Sequence, residues 1–457
     1  MNLDKFFKAK NVAIVGVSKD PRKVGHVILR NFMDGKFQGR LFIVNPNADE
    51  ILNHKCYNSL AGIREPIDLA VIAVPSSIVL NVIKDCAKKR IKHVVLVTAG
   101  FEEIGNFALA KKLKALITKH KIKVIGPNCL GIYNAHNKLD AMFIPRYRLK
   151  RPLPGGISFV CQSGAVGSAI LDLATTEGYR FAKFASYGNA IDVDEADLIE
   201  YLGNDPETKV ICAYIEGIKQ GRKFLEIAKK VSKKKPIVAI KGGTTEAGSK
   251  ATLSHTGSLA GSAEVYRGVF KQAGVIQADS LEQMFNYARI LEKTIPPKGD
   301  RVQVITNGGG YGILSTDAII KQGLKQAQAS KETIRGLKKQ MPPIVVLKNP
   351  MDLVGDATTE RFSLAIDACL KDPNIDILLV IILYQTPLIT TDIVDIVIEA
   401  NDQKKKPIIV VSTGGEFTEV LKDALEDTDV PCYTFPEGAV DAIRHLVDYY
   451  CVSRKLY

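Results

Sequence analysis

Gln162-Ser163-Gly164-Ala165-Val166-Gly167 follows the apolar run Ile157–Cys161, and Asn307-Gly308-Gly309-Gly310-Tyr311-Gly312 follows the run Val302–Thr306. Each is a short turn of small residues between a buried strand and the helix after it. The spacing repeats: Gly164, Gly167 and Gly178 match Gly309, Gly312 and Gly323 at a constant offset. Later strands of the two units end alike, in Gly242-Gly243 and Gly414-Gly415. A strand–turn–helix pattern repeated in this way predicts two consecutive flavodoxin-like, doubly wound α/β sheets.

Upstream, apolar runs at Val12–Val17, Leu41–Val44, Leu69–Val74, Val94–Val97 and Val124–Ile125 alternate with helical stretches. That rhythm predicts a third parallel sheet, Rossmann-like, at the N-terminus. A Pro-rich, basic stretch from Ile144 to Gly156 has the composition of a linker. Three domains are expected, at 1–145, 146–297 and 298–457.

The chain has 457 residues, too many for one compact core, with 46% hydrophobic and 24% charged residues. No apolar run approaches the ~20 residues of a membrane span, and the N-terminus runs into a strand without a cleavage site. A cytoplasmic protein is expected. Its eight cysteines include no CxxC pair and sit mostly in apolar runs, which suits reduced core thiols rather than a metal site. The net charge of +13 is spread over lysines without interleaved aromatics. A solvated basic surface that draws in a polyanionic substrate explains it better than nucleic-acid binding.

The glycine-rich turns point to phosphate. A helix start offers unpaired N–H groups and a positive dipole end, and glycine lets an anion approach the backbone. Two such starts, Ser163-Gly164 and Gly309-Gly310, would suit one phosphate if the fold aimed them at one place. The first turn of the chain, Gly16-Val17-Ser18-Lys19-Asp20-Pro21-Arg22-Lys23, is not a dinucleotide fingerprint. Ser18 replaces the middle glycine, and Asn45-Pro46-Asn47 stands where an acidic residue would hold an NAD ribose. With Lys19, Arg22 and Lys23 added, coenzyme A is the fitting nucleotide.

After the buried strand Pro236–Lys241 comes a long segment of Gly, Ser, Thr and Ala carrying one imidazole, His255. A neutral imidazole can attack phosphorus when one nitrogen is free and the other is held by a carboxylate. Glu216, ending the run Val210–Ile215, is placed for that second role. The other six histidines lie in ordinary helix or loop contexts.

In their order, Gln162-Ser163-Gly164, Tyr214-Ile215-Glu216-Gly217, Ser254-His255-Thr256-Gly257-Ser258-Leu259-Ala260-Gly261 and Asn307-Gly308-Gly309-Gly310 resemble the α subunits of archaeal ADP-forming acetyl-CoA synthetases, relatives of succinyl-CoA synthetase. The resemblance implies a CoA-binding domain, two ligase domains and a separate ATP-grasp β subunit holding ADP or ATP with Mg2+, in an α2β2 assembly. It implies that phosphate at Ser163, Gly164, Gly309 and Gly310 attacks the acyl-CoA thioester. His255, steadied by Glu216, would then take the phosphoryl group from the acyl phosphate and carry it to ADP. CoA contacts carried over are Gly16, Val17, Ser18, Arg22 or Lys23, Pro75, Thr98, Ala99 and Asn128. Succinyl-CoA synthetases carry an aromatic residue where this chain has Gly167-Ser168, which argues against succinate. A succinate- or malate-type ligase subunit and a non-catalytic CoA- or NAD-sensing protein are the alternatives.

Overall fold

The computed structural model describes residues 2–245, 247–248 and 263–453. They form two compact units, Met1–Asp279 and Ser280–Tyr457.

The first unit holds two sheets. One runs in the order Glu50–Ile51, His54–Tyr57, Arg40–Val44, Asn11–Val15, Leu69–Ile72, His93–Leu96, Lys123–Ile125. All its strands are parallel except the antiparallel edge pair 50–51 with 54–57. Leu69, Ala70, Val71 and Ile72 are all fully buried, as strands covered by helices on both faces require. The chain crosses from Asn11–Val15 to one neighbour, Arg40–Val44, and returns to the other, Leu69–Ile72. The ends of Asn11–Val15 and Leu69–Ile72 therefore flank a crevice of the kind where open α/β sheets bind ligands.

The second sheet is centred on Pro154–Cys161, between Phe181–Ser186 and Val210–Ile215; Ile237–Lys241 and Ile276–Gln277 continue it in parallel. Its other edge comes from Ile132–Asn134 and Leu139–Asp140, which pair antiparallel. These two strands lie before residue 145, inside the segment expected to close the first domain. The basic stretch expected to be a linker is tied down: Arg151 and Arg146 both bond the buried Asp140, with Arg151 Nε 2.9 Å and Arg146 Nη1 2.7 Å from its Oδ2. Breaking such a buried pair strands a charge, so this crossing is held firmly. Buried side chains from both sheets, among them Ile14, Val71 and Val160, form one continuous core with helix residues such as Phe224.

The second unit has a third, all-parallel sheet ordered Lys325–Gln326, Arg301–Thr306, Ile377–Ile381, Ile408–Val411, Cys432–Tyr433, with Met351–Asp352 also pairing Arg301–Thr306 at its end. Helix Leu281–Lys293 belongs to this unit although it precedes the expected boundary at 297. Its Lys293 Nζ lies 2.5 Å from Glu426 Oε2, its Arg289 also pairs with Glu426, and Tyr287 Oη donates to Asp441 at 2.6 Å. Among the described residues no helix is long and apolar enough to cross a membrane. The three sheets are of the expected α/β class.

Candidate active site

The first turn is built around two close approaches. Gly16 sits at φ +95°, and a Cβ there would stand 2.5 Å from the Ala73 carbonyl oxygen; one on Gly25 would stand 2.2 Å from that of Gly16. No side chain larger than hydrogen fits either place. Asn45 Nδ2 donates to the Val17 carbonyl at 2.6 Å, and buried His26 holds the Ser18 carbonyl through Nδ1 at 2.8 Å. Helix Val24–Asp34 begins after Lys23 with no side-chain cap. Arg22 is engaged elsewhere: it grips Asp20 through Nε and Nη2, both at 3.0 Å, and is 88% exposed. That guanidinium holds the Asp20 carboxyl down to about 2.

The other strand ends of the first sheet meet the second. Thr98 Oγ1 donates to the Val74 carbonyl at 2.7 Å, and the Thr98 carbonyl accepts the Asn128 N–H at 2.9 Å. Asn128, at φ +56°, donates through Nδ2 to Asn189 Oδ1 at 3.2 Å. Pro75 stands immediately before helix Ser76–Lys88.

In the second sheet, Ser163 caps helix Gly164–Thr176 by accepting the Val166 N–H at 3.4 Å. A Cβ on Gly164 would make only ordinary contacts, the nearest with Leu130 at 3.7 Å, so this helix start is not crowded. A Cβ on Gly167 would meet the Phe184 ring at 2.8 Å; that glycine serves helix–strand packing. Across the crevice stands Glu216, buried at 7% exposure. Gln162 joins the two strand ends: its Oε1 accepts from the Glu216 N–H at 2.8 Å, the Gly217 N–H at 3.1 Å and the Tyr187 hydroxyl at 3.2 Å. Beyond Glu216, Lys241 lies 4.6 Å from the Tyr266 ring centre, and burial lowers its pKa against the opposing pull of the Glu216 charge.

A cavity of about 450 Å3 in the first unit gathers six of the residues marked by sequence: Thr98, Ala99, Asn128, Ser163, Gly164 and Glu216. Gly16, Val17, Ser18, Arg22, Lys23 and Pro75 do not line it, although their neighbours Ala73, Val74 and Val24 do. Gln162, Asn189 and Phe143 also line it and were given no role from sequence. Gln162 stood inside a quoted motif; Asn189 and Phe143 carried no signal. Gly309 and Gly310 open helix Gly309–Lys321 in the second unit, where the start at Gly308 has no side-chain cap. His255 lies outside the described residues. A larger cavity of about 1040 Å3, lined by residues between Gln326 and Asn349, contains none of the expected site residues.

Three family models match in succession: a CoA binding domain over residues 10–135, a succinyl-CoA ligase like flavodoxin domain over 154–291 and a ligase-CoA domain over 302–448. The α subunit of ADP-forming acetate–CoA ligase II of Pyrococcus furiosus is 40% identical over 451 residues, covering 97% of each chain. The ADP-forming acetate–CoA ligase of Methanocaldococcus jannaschii is 41% identical over 444 residues; these cover 96% of this chain and 62% of that longer protein. In the solved structures, dinucleotide-forming acetyl-coenzyme A synthetase 1 of Ca. Korarchaeum cryptofilum, in complex with phosphate and ADP, superposes with a TM-score of 0.92 at 37% identity, over 98% of this chain and 97% of that one. With a CoA-binding sheet, two ligase sheets and relatives matched from end to end, this chain belongs to the family of ADP-forming acetate–CoA ligases.

Proposed function

We propose that the chain works as the CoA-binding and phosphoryl-accepting subunit of an ADP-forming acyl-CoA synthetase, with acetyl-CoA as the reference substrate. One observation carries this reading. Thr98, Ala99 and Asn128 from the CoA-binding sheet share a single cavity with Ser163, Gly164 and Glu216 from the first ligase sheet. A thioester delivered from one side and a phosphate held on the other would meet in it.

In this reading segment 1–145 binds CoA, 146–297 carries the phosphate turn and His255, and 298–457 carries Gly309 and Gly310 as a second anion-binding helix start. A phosphate oxygen attacks the acyl carbonyl, the C–S bond breaks, and the thiolate leaves as CoA and takes up a proton. The His255 ring then attacks the phosphorus of the acyl phosphate, releasing the carboxylate. Glu216 orients the ring and balances its growing positive charge. Backbone N–H groups at the helix starts suit this chemistry because phosphoryl transfer depends on positioning and charge stabilisation. The first turn, with Gly16, Val17, Ser18, Lys23 and the helix start behind them, suits the CoA phosphates. Arg22 would have to leave Asp20 to join them. The phosphoryl group passes to ADP, held with Mg2+ on an ATP-grasp β subunit in a cytoplasmic α2β2 assembly.

The test is labelling. The chain with its partner, given radiolabelled phosphate and acetyl-CoA, should acquire acid-labile, base-stable label, and His255→Ala should carry none. Label that persists in the variant would refute the assignment.

A further inference from the structure

The Gln162 side chain has one end fixed and the other unused. Two of the three groups on its Oε1 are backbone N–H donors, which only an oxygen can accept, so the amide cannot be turned over. The NH2 group is then assigned, and among the described residues it has no acceptor. The side chain is only 7% exposed and lies between two cavities, one beside Ser163, Gly164 and Glu216, the other, of about 640 Å3, beside Asp194, Glu195 and Gly217. The NH2 group is not enclosed by protein and stays accessible to a small bound molecule.

The second unit shows the same bracket completed. Asn307 occupies the matching place before its helix, and its Oδ1 accepts the Leu383 N–H at 2.9 Å as Gln162 accepts that of Glu216. Its Nδ2, however, is used twice, donating to the Leu383 carbonyl at 3.1 Å and to Thr386 Oγ1 at 2.9 Å. The bracket itself therefore does not require a free NH2. The longer glutamine also reaches both Glu216 and Gly217 with one oxygen and keeps both its amide hydrogens.

We propose that the Gln162 NH2 donates to an oxygen of the phosphate, and of the acyl phosphate formed from it, held at the start of helix Gly164–Thr176. This deepens the reading above and rests on it. A neutral donor is suited to the position. Glu216 brings negative charge to the chamber, and an uncharged amide can bind a phosphoryl oxygen without forming an ion pair with that carboxylate. Fixing the amide on the Glu216 backbone also couples the phosphate's position to that of the residue that orients the histidine.

The experiment uses the enzyme purified with its partner, in wild-type form and as Gln162→Glu. The substitution keeps an acceptor for Glu216 and Gly217 and loses the NH2. Half-saturation by inorganic phosphate should rise about 10- to 100-fold, the range for a hydrogen bond to a charged group. Half-saturation by CoA should stay within about twofold. Phosphate binding by the variant should recover as pH falls and its carboxyl regains a proton to donate, a response that a merely structural role would not give. An unchanged phosphate dependence, or equal loss for phosphate and CoA, overturns the proposal. Should the variant fail to fold, a wild-type structure with phosphate decides: Nε2 about 3 Å from a phosphate oxygen supports it, and a separation beyond about 4 Å rejects it. If wild-type His255 takes no label, the broader reading has failed independently of Gln162.

Discussion

The second and third sheets are echoes of one plan, and they differ most where the plan meets chemistry. Each has a central strand followed by a small-residue turn, an amide side chain and a helix. Gly178 and Gly323, at φ +71° and +67°, follow those helices in the same left-handed conformation. In both, the amide accepts an N–H from the neighbouring strand's end; that residue is Glu216 in one sheet and Leu383 in the other. The second sheet carries a carboxylate and an unfinished hydrogen-bonding group, whereas the third carries an aliphatic side chain and a finished one. A repeated scaffold supplies two helix starts, and side-chain substitution gives one of them a carboxylate and a spare amide donor.

The largest effect should come from erasing that difference. Glu216→Leu gives the second sheet the residue of the third. Formation of labelled enzyme from phosphate and acetyl-CoA should slow on the order of 10²–10³-fold, the scale of a lost orienting or charge-stabilising partner. The unfolding midpoint should hold, since leucine suits a buried place. An unchanged labelling rate would break the comparison, because the carboxylate would then have no part in it.

A second contrast is in the helices leading to those strands. Helix Glu195–Asn204 opens with Asp194, Glu195 and Asp197, all buried, whereas the corresponding Thr358-Thr359-Glu360 start leaves Glu360 exposed. Burial, then the neighbouring Asp194 charge, pushes the Glu195 carboxyl up to about 7. At acid pH it is protonated in both folded and unfolded chains and costs nothing. As pH rises through the ordinary glutamate range, the unfolded chain releases the proton while the folded chain keeps it. Stability therefore falls until the folded group also ionises near 7, a loss of roughly 3 kcal/mol. Glu195→Gln should remove this fall. Urea unfolding at pH 5 and pH 8 should show wild type losing clearly more stability between them than the variant; parallel losses would refute it.

How much of this was legible follows from the range of each interaction. The glycine spacing was readable because close approach and left-handed turns demand glycine locally. Glu216 stood out as a polar residue ending an apolar run, and its place is a buried one lining the cavity. The hydrogen bonds of Gln162 were hidden, since they depend on which strand lies alongside, and that is fixed by a crossover. Strands 132–134 and 139–140 were hidden for the same reason: the first pairs antiparallel with Phe181–Ser186 and the second with the first, across a domain boundary expected at 145. Arg22 was expected to contact CoA, yet Asp20, two residues earlier in the same quoted turn, holds it by local charge. His255 was singled out by the composition of its loop and by the resemblance of the motif around it, and it lies outside the described residues.

The smallest effect tests whether the two helix starts pack alike. A Cβ on Gly167 would press on the Phe184 ring at 2.8 Å, whereas one on Gly312 would meet Pro350 at 3.1 Å. Alanine in a helix is favoured over glycine by up to about 1 kcal/mol, which opposes the crowding in both places. Phe184 is fully buried beneath the helix and stacked with Phe159 at 6.2 Å between ring centres, so it has little room to withdraw. Gly167→Ala should therefore lose about 1–2 kcal/mol net. Gly312→Ala should come out within about 0.5 kcal/mol of wild type, because a few tenths of an ångström at a partly exposed proline relieve it. Urea midpoints of the two variants measure the difference, and equal losses would mean that the second-sheet helix is no more tightly seated than its echo.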